Sequence, residues 1–321
     1  MIHLRDDNGL KKIILENDYL QLVLLPAIGG KMIELKNLKT GTQFLLGNQH
    51  PERIYKQAYC GADFSEYDVS GFDECFPTVS ACRFNFQKTE FSFPDHGELW
   101  SSEWSYSLQE DSVTISKEGI NFDYVFTKCL SLDKNSVKIN YSVKNNSNID
   151  LPYLWSVHPL LSVKENYEII LDDEVKTIFL DWASDDSIGK YGDILTWPLL
   201  TKGKNERDYS VVQEFSSGFA AKIFTSKLKN GYAGLFYPDT DESIFFKFDT
   251  RVISYLGLWL CYGGWPQGKK EKHFTVALEP ASGRPDSLSE AVKNNECKIL
   301  KNGKEHQWTL YIVLQKGREV L

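Results

Sequence analysis

Apolar positions along this chain recur mostly at every second residue, in short runs closed by turn-forming residues. Phe122, Tyr124 and Phe126 alternate with polar neighbours, then Val137, Ile139, Tyr141 and Val143 do the same, with Leu132-Asp133-Lys134-Asn135 as the turn between them. Upstream, Ile13 to Leu25 and Met32 to Leu38 predict two strands around Gly29-Gly30; Lys39-Thr40-Gly41 is a further turn, and Phe44 to Leu46 close an opening meander. Downstream, Lys222 to Phe224 and Ala233 to Tyr237 flank Lys229-Asn230-Gly231, a hairpin signal because Asn and Gly tolerate positive φ. Phe245 to Phe248 and Ile253 to Leu260 follow as strands, and Ile299 to Leu314 form a last hairpin around Asn302-Gly303. Helical periodicity is scarce. One short helix is predicted at Ser287 to Asn294, where Ser287 and Glu290 have the spacing of a capping box. The pattern predicts an all-β protein, a large antiparallel β-sandwich. Two stretches lose the alternation: Gln49 to Gly71, read as a long ordered loop of the kind that often carries function, and Glu165 to Tyr209, read as loops and short strands laid over the sandwich.

Composition narrows the picture without changing it. With 321 residues the chain could make two domains, but large sandwiches reach this size as one, and the reading adopted is a single domain over residues 1–321. The net charge is −8 with Lys and Arg scattered, which argues against nucleic acid or an anionic membrane as a partner and suits a neutral small molecule. The start, MIHLRDDNGLKK, has no long apolar region, and no run approaches the ~18 apolar residues of a spanning helix, so a cytoplasmic protein is expected. Six dispersed cysteines without a CxxC pair point to free thiols and away from a zinc site. The 8 Trp, 16 Tyr and 19 Phe suit strands, and their faces can stack on sugar rings.

The stretch VALEPASGRPDSLSEA, Val276 to Ala291, reads as an apolar strand end delivering Glu279 into a turn made by Pro280, Gly283 and Pro285. Such a carboxyl can be poised for proton transfer by partial burial, although a salt-bridged strand-end Glu is the more ordinary reading. In SVHP, Pro159 pushes His158 toward extended geometry and so restricts where its imidazole points; histidine is the natural general acid of a mild reaction. His96 sits in DHG between aromatics that include Trp100 and Trp104. Asp73 and Glu74, bracketed by Gly71 and Pro77, need partners in an apolar turn: either a nearby Arg or Lys, or sugar hydroxyls. Trp259, beside the glycine pair of LWLCYGGWPQG, is a core residue or a sugar-stacking one.

Taken together, DHG at His96, SVHP at His158 and LEP followed by PD at Glu279 resemble, in order and wide spacing, the aldose 1-epimerase (galactose mutarotase) family, over nearly the whole chain. The resemblance implies a large β-sandwich of the galactose mutarotase type with a groove on its concave face. It implies Glu279 as base, His158 as acid and His96 as a sugar-holding residue; the local sequence adds Asp73, Glu74 and Trp259 as candidate substrate contacts. The implied reaction is interconversion of the α and β anomers of an aldose by ring opening and closure, with no metal or other cofactor; the partner is a sugar, and the protein a monomer or homodimer. The chain departs from the family where DHG continues as Glu98-Leu99-Trp100 instead of Phe-Ala-Arg, and where an early Asn-Arg segment and a sugar-binding aspartate have no clear match; Asp239, Asp241 and Asp249 are candidates for the latter. A phosphorylated sugar would call for basic residues at the groove, with Arg83, Lys31 and Arg284 as hints. The alternatives are a non-catalytic carbohydrate-binding protein on the same fold and a glycoside hydrolase or lyase pairing Glu279 with Asp73 or Glu74, its acids ~5–9.5 Å apart.

Overall fold

The computed structural model describes residues 1–49, 55–200 and 207–320; parts of both predicted irregular stretches, residues 50–54 and 201–206, lie outside them. Two large sheets carry the fold. The first has eleven strands, in spatial order Ile2–Asp7, Leu10–Glu16, Leu20–Leu25, Lys31–Asn37, Phe72–Cys75, Ser156–Leu161, Phe274–Ala281, Tyr255–Tyr262, Phe219–Thr225, Thr177–Ala183 and Ile194–Thr196. The second has eight, in the order Glu168–Leu171, Tyr232–Tyr237, Glu242–Phe248, Glu305–Lys316, Ser136–Asn145, Tyr124–Asp133, Ser112–Glu118 and Ser105–Leu108. Every strand pairing in both is antiparallel, as the alternating pattern predicts.

Period-two alternation decides which side chains fill the space between the sheets. Val276 and Leu278, Leu256, Leu258 and Leu260, and Ala221 and Ile223 all join one core cluster together with Phe126, Ile139, Leu310 and Ile312 of the second sheet. Each of the larger side chains is worth about 1.5–3 kcal/mol of burial, so the register of these strands is strongly specified. The alternate residues of the same central strands, His158, Leu160, Ala277, Glu279, Trp259 and Lys222, therefore face the outer side of the eleven-stranded sheet. There a second cluster, Leu46, Phe64, Val69, Trp100, Leu160 and Ala277, roofs them with loop residues. That covered outer face is where the site lies.

Local expectations fare unevenly. The strand expected at Phe44 to Leu46 makes only isolated bridges, Lys36 to Gln43 and Leu45 to Leu161. The single helix is present at Leu288–Lys293 with Ser287 at its N-cap, but the Ser287 side chain makes no capping bond. The Leu288 N–H donates instead to Thr78 Oγ1 at 3.2 Å, which ties the helix to a distant loop. All six cysteines are free. Among the described residues, no helix is long and apolar enough to cross a membrane.

Candidate active site

Glu279 lies inside the strand Phe274–Ala281, two residues before its end and with Pro280 still in the strand, where the sequence predicts the turn, and is only 1% exposed. Leu160 pairs with Ala277 and Ser156 with Ala281, so His158 stands beside Glu279 on the neighbouring strand. The His158 Nδ1–H donates to Glu279 Oε1 at 2.8 Å. On the other side Glu279 pairs with Gly257, and Phe224 pairs with Gly257 in turn. A Cβ on Gly257 would come within 3.2 Å of Glu279 Oε2 and 3.1 Å of Phe224 Cε1. The glycine leaves space through which the Lys222 ammonium, from Phe219–Thr225, reaches Glu279 Oε2. Lys222 also lies 3.2 Å from Asp286 Oδ1. The Asp286 carbonyl accepts the N–H groups of Val79 and Ser80, which fixes the Pro285-Asp286 turn over the sheet.

These contacts set the electrostatics. Burial pushes the Glu279 carboxyl up, but Lys222 and His158 more than offset it and hold it well below the ordinary glutamate value. Burial works against the Lys222 ammonium; Asp286 and Glu279 outweigh it and keep the charge on. Asp286 is pushed up, first by burial and then by Glu279, against the pull of Lys222. Asp181, on Thr177–Ala183, is pushed up to about 8 by burial and by the charge of Asp286, against the pull of Lys222.

A cavity of about 330 Å³ opens over this cluster, within the ~300–1,000 Å³ range of small-molecule sites. His158, Lys222, Asp181 and Asp286 line its floor; Trp182, Trp259 and Trp265 form an aromatic wall; Phe64, Asp95 and His96 close another side. Trp182 and Trp259 lie 5.7 Å apart, tilted by 31°, and Trp265 stands edge-on to Trp259. His96 has φ +58°, and Gly97, at φ +72°, admits no side chain because a Cβ would meet the Phe76 carbonyl at 2.1 Å. This turn stacks the His96 ring on Phe64 at 4.1 Å and lets its Nδ1 contact Asp95 at 2.7 Å.

Of the residues singled out from sequence, His158, His96 and Trp259 line the cavity, and Glu279 sits directly behind His158. Asp73 and Glu74 do not line it. Alternation sends Glu74 into the core, where Lys128 at 3.1 Å, Tyr141 at 3.0 Å and Trp155 at 3.1 Å engage it, while Asp73 pairs with Lys31 at 2.8 Å. Of the other aspartates considered, Asp239 pairs with Lys164 and Tyr167, and Asp249 with Arg251. Lys222, Asp181, Asp286, Trp182 and Trp265 are the residues sequence reasoning did not assign. A lone lysine inside the apolar run FAAKIF was the available signal, since an unpaired charge is rarely buried. Among the described residues, no group of three or more His, Cys, Asp and Glu side chains is arranged to hold a metal ion.

Neither a family model nor a curated protein matches this chain. Solved structures do. A galactose mutarotase-like protein from Clostridium acetobutylicum is 14% identical and superposes with a TM-score of 0.71, over 98% of this chain and 98% of that one. A galactose mutarotase-like protein from Lactobacillus casei is 15% identical at TM-score 0.70, over 95% of this chain and all of that one. The GalM/aldose epimerase homologue from C. elegans is 11% identical at TM-score 0.66, covering 95% and 98%. At such identities the likeness is one of fold: the chain is a large antiparallel β-sandwich of the galactose mutarotase type.

Proposed function

We propose that this protein is a cofactor-independent aldose 1-epimerase acting on an uncharged sugar. The observation that carries the reading is the His158–Glu279 pair at the floor of a tryptophan-walled cavity. With Nδ1 held by the ionised Glu279, the imidazole turns Nε2 to the cavity, and the carboxylate stabilises the imidazolium that forms when Nε2 takes a proton. Removing a proton from an anomeric hydroxyl is work this pair can do. Glu279, with one oxygen on His158 and the other on Lys222, acts through His158 in this arrangement and is a positioning residue. The tryptophans offer flat faces to the C–H surfaces of a pyranose.

Charge favours a sugar without phosphate. Lys222 is shared between two carboxylates, and the cavity is also lined by Asp95 and Asp181. The basic residues that a phosphate would call for are engaged elsewhere: Arg83 with Glu90, Lys31 with Asp73, Arg284 with Glu296. The hydrolase alternative relied on Asp73 or Glu74 opposite Glu279, and both acids are held by lysines away from the cavity.

The test is polarimetry on freshly dissolved α-D-galactose and α-D-glucose. Wild type should speed the approach to anomeric equilibrium, and His158→Asn or Glu279→Gln should each remove roughly 10²-fold or more of that acceleration. If wild type accelerates neither these nor other aldoses but binds them, the protein is a carbohydrate-binding one.

A further inference from the structure

Ring opening needs two proton transfers: one off the anomeric hydroxyl O1 and one onto the ring oxygen O5. His158 with Glu279 behind it supplies one group facing the cavity. A second must touch the sugar on its own account, and Glu279, at 1% exposure with each oxygen bonded, does not line the cavity.

Asp181 does line it. The strand Thr177–Ala183 shifts register against Phe219–Thr225 between Leu180 and Trp182, and this irregularity brings the successive residues Asp181 and Trp182 to the same cavity, which regular alternation forbids. Asp286 lines the same cavity, and its charge acts on the Asp181 carboxyl. The charge count around them is uneven. Asp181 is faced by Asp286 from the turn after Phe274–Ala281, by Glu279 from that strand, by Lys222 from Phe219–Thr225 and by Tyr191 from the segment following its own strand. One ammonium thus meets three carboxyls in a largely buried cluster. Glu279 and Asp286 engage that ammonium directly, and among the described residues no cation pairs with Asp181. Two neighbouring carboxyls with so little positive charge do not both ionise.

We infer that Asp181 and Asp286 share a proton and that Asp181 is the second proton-transfer group, acting on O5 while His158 acts on O1. The inference rests on the mutarotase reading. In the forward step His158 Nε2 takes the O1 proton, the O1–C1 bond becomes a carbonyl, and the C1–O5 bond breaks with its electron pair going to O5, which takes the proton of the Asp181 carboxyl. After rotation about C1–C2, O5 attacks the opposite face of C1 and returns its proton to Asp181, while O1 recovers the proton held by His158. No atom or electron is left over.

The experiment joins a pH–rate profile of mutarotation with carboxyl ¹³C NMR of the aspartate-labelled full chain, for wild type, Asp181→Asn, Asp181→Glu, Asp286→Asn and His96→Asn, with thermal melts to confirm folding. The Asp181 resonance should titrate near pH 8 and move toward the ordinary carboxylate range in Asp286→Asn. The wild-type rate should fall as pH rises through the same point, because the acid must carry its proton. Asp181→Asn should lose roughly 10²-fold in kcat together with that alkaline limb, and Asp181→Glu should recover part of both. An active wild type whose rate and profile are unchanged in Asp181→Asn overturns the inference and leaves the mutarotase reading standing; if His96→Asn removes the alkaline limb instead, His96 is the acid. An Asp181 resonance titrating in the ordinary range overturns the shared proton whatever the activity. An inert wild type overturns the mutarotase reading and the catalytic role with it.

Discussion

Among the described residues, two buried lysine–glutamate pairs lie on opposite faces of the same sheet, and they have different fates. Between the sheets, Glu74 receives Lys128, Tyr141 and Trp155, and Lys128 is further bonded to the Gly30 carbonyl at 2.9 Å; Lys128 and Glu74 are at most 1% exposed. On the outer face, Glu279 receives Lys222 and His158, but Lys222 is shared with Asp286, and His158 and Lys222 line a cavity. Burial dominates at Glu74 and raises its pKa despite its three donors, whereas Lys222 and His158 overcome burial at Glu279 and lower it. A buried ion pair whose hydrogen-bonding groups are met internally specifies packing. One that leaves an imidazole nitrogen and surplus carboxyls facing open space is equipped for chemistry.

The largest effect expected from this contrast is a crossed outcome. Glu74→Gln strands the Lys128 ammonium in the core and should cost about 3–5 kcal/mol of stability while leaving kcat of the folded fraction unchanged. Glu279→Gln leaves Lys222 its second carboxylate, Asp286, and should cost less stability but remove most of the rate. Urea denaturation beside polarimetry reads both quantities. A Glu74→Gln protein that stays folded and loses its rate would erase the distinction between the two clusters.

This contrast also accounts for what the sequence could and could not reveal. Alternation announced the strands, the antiparallel sandwich and the core positions, because a half-buried strand carries its own period. Glu279, His158 and His96 stood out through local motifs, and Trp259 through its aromatic loop. Asp73 and Glu74 looked equivalent as neighbours, yet the same alternation sends one to each face, and their lysines come from positions 31 and 128, far along the chain. Lys222, Asp181 and Asp286 form their cluster only through strand order, with the Gly257 gap and the irregularity at Leu180 to Trp182 deciding what can touch. Apart from the lone lysine in FAAKIF, none of that has a local signature.

A smaller effect separates the two clusters by pH. Asp181, raised to about 8, holds in the folded state a proton that the unfolded chain releases, so its contribution to stability is full below the ordinary aspartate value and is lost as pH rises toward 8. Glu279 is depressed, so its contribution is present above the ordinary glutamate value and is lost only as pH falls below it. Between about pH 5 and about pH 8 the outer cluster should therefore lower the unfolding free energy by about 3–4 kcal/mol, and Asp181→Asn should flatten that slope. An identical slope in the variant would place the proton elsewhere.

The smallest effect sharpens the division within the outer site itself, between the groups that move protons and the wall that holds the ring. Trp259 is half-buried, and its partners Trp182 and Trp265 would still cover one face of the cavity in its absence. It carries no proton to transfer, so whatever it contributes is made alike to the bound sugar and to the transition state, which weakens binding without slowing the bound complex. Trp259→Ala should forfeit about 0.5–1.5 kcal/mol of ring contact, a rise in KM of roughly 2- to 12-fold with kcat nearly constant. A fall in kcat of the size expected for His158→Asn would mean that the wall sets the angle at which the sugar meets His158, and that the two halves of the site are not separable.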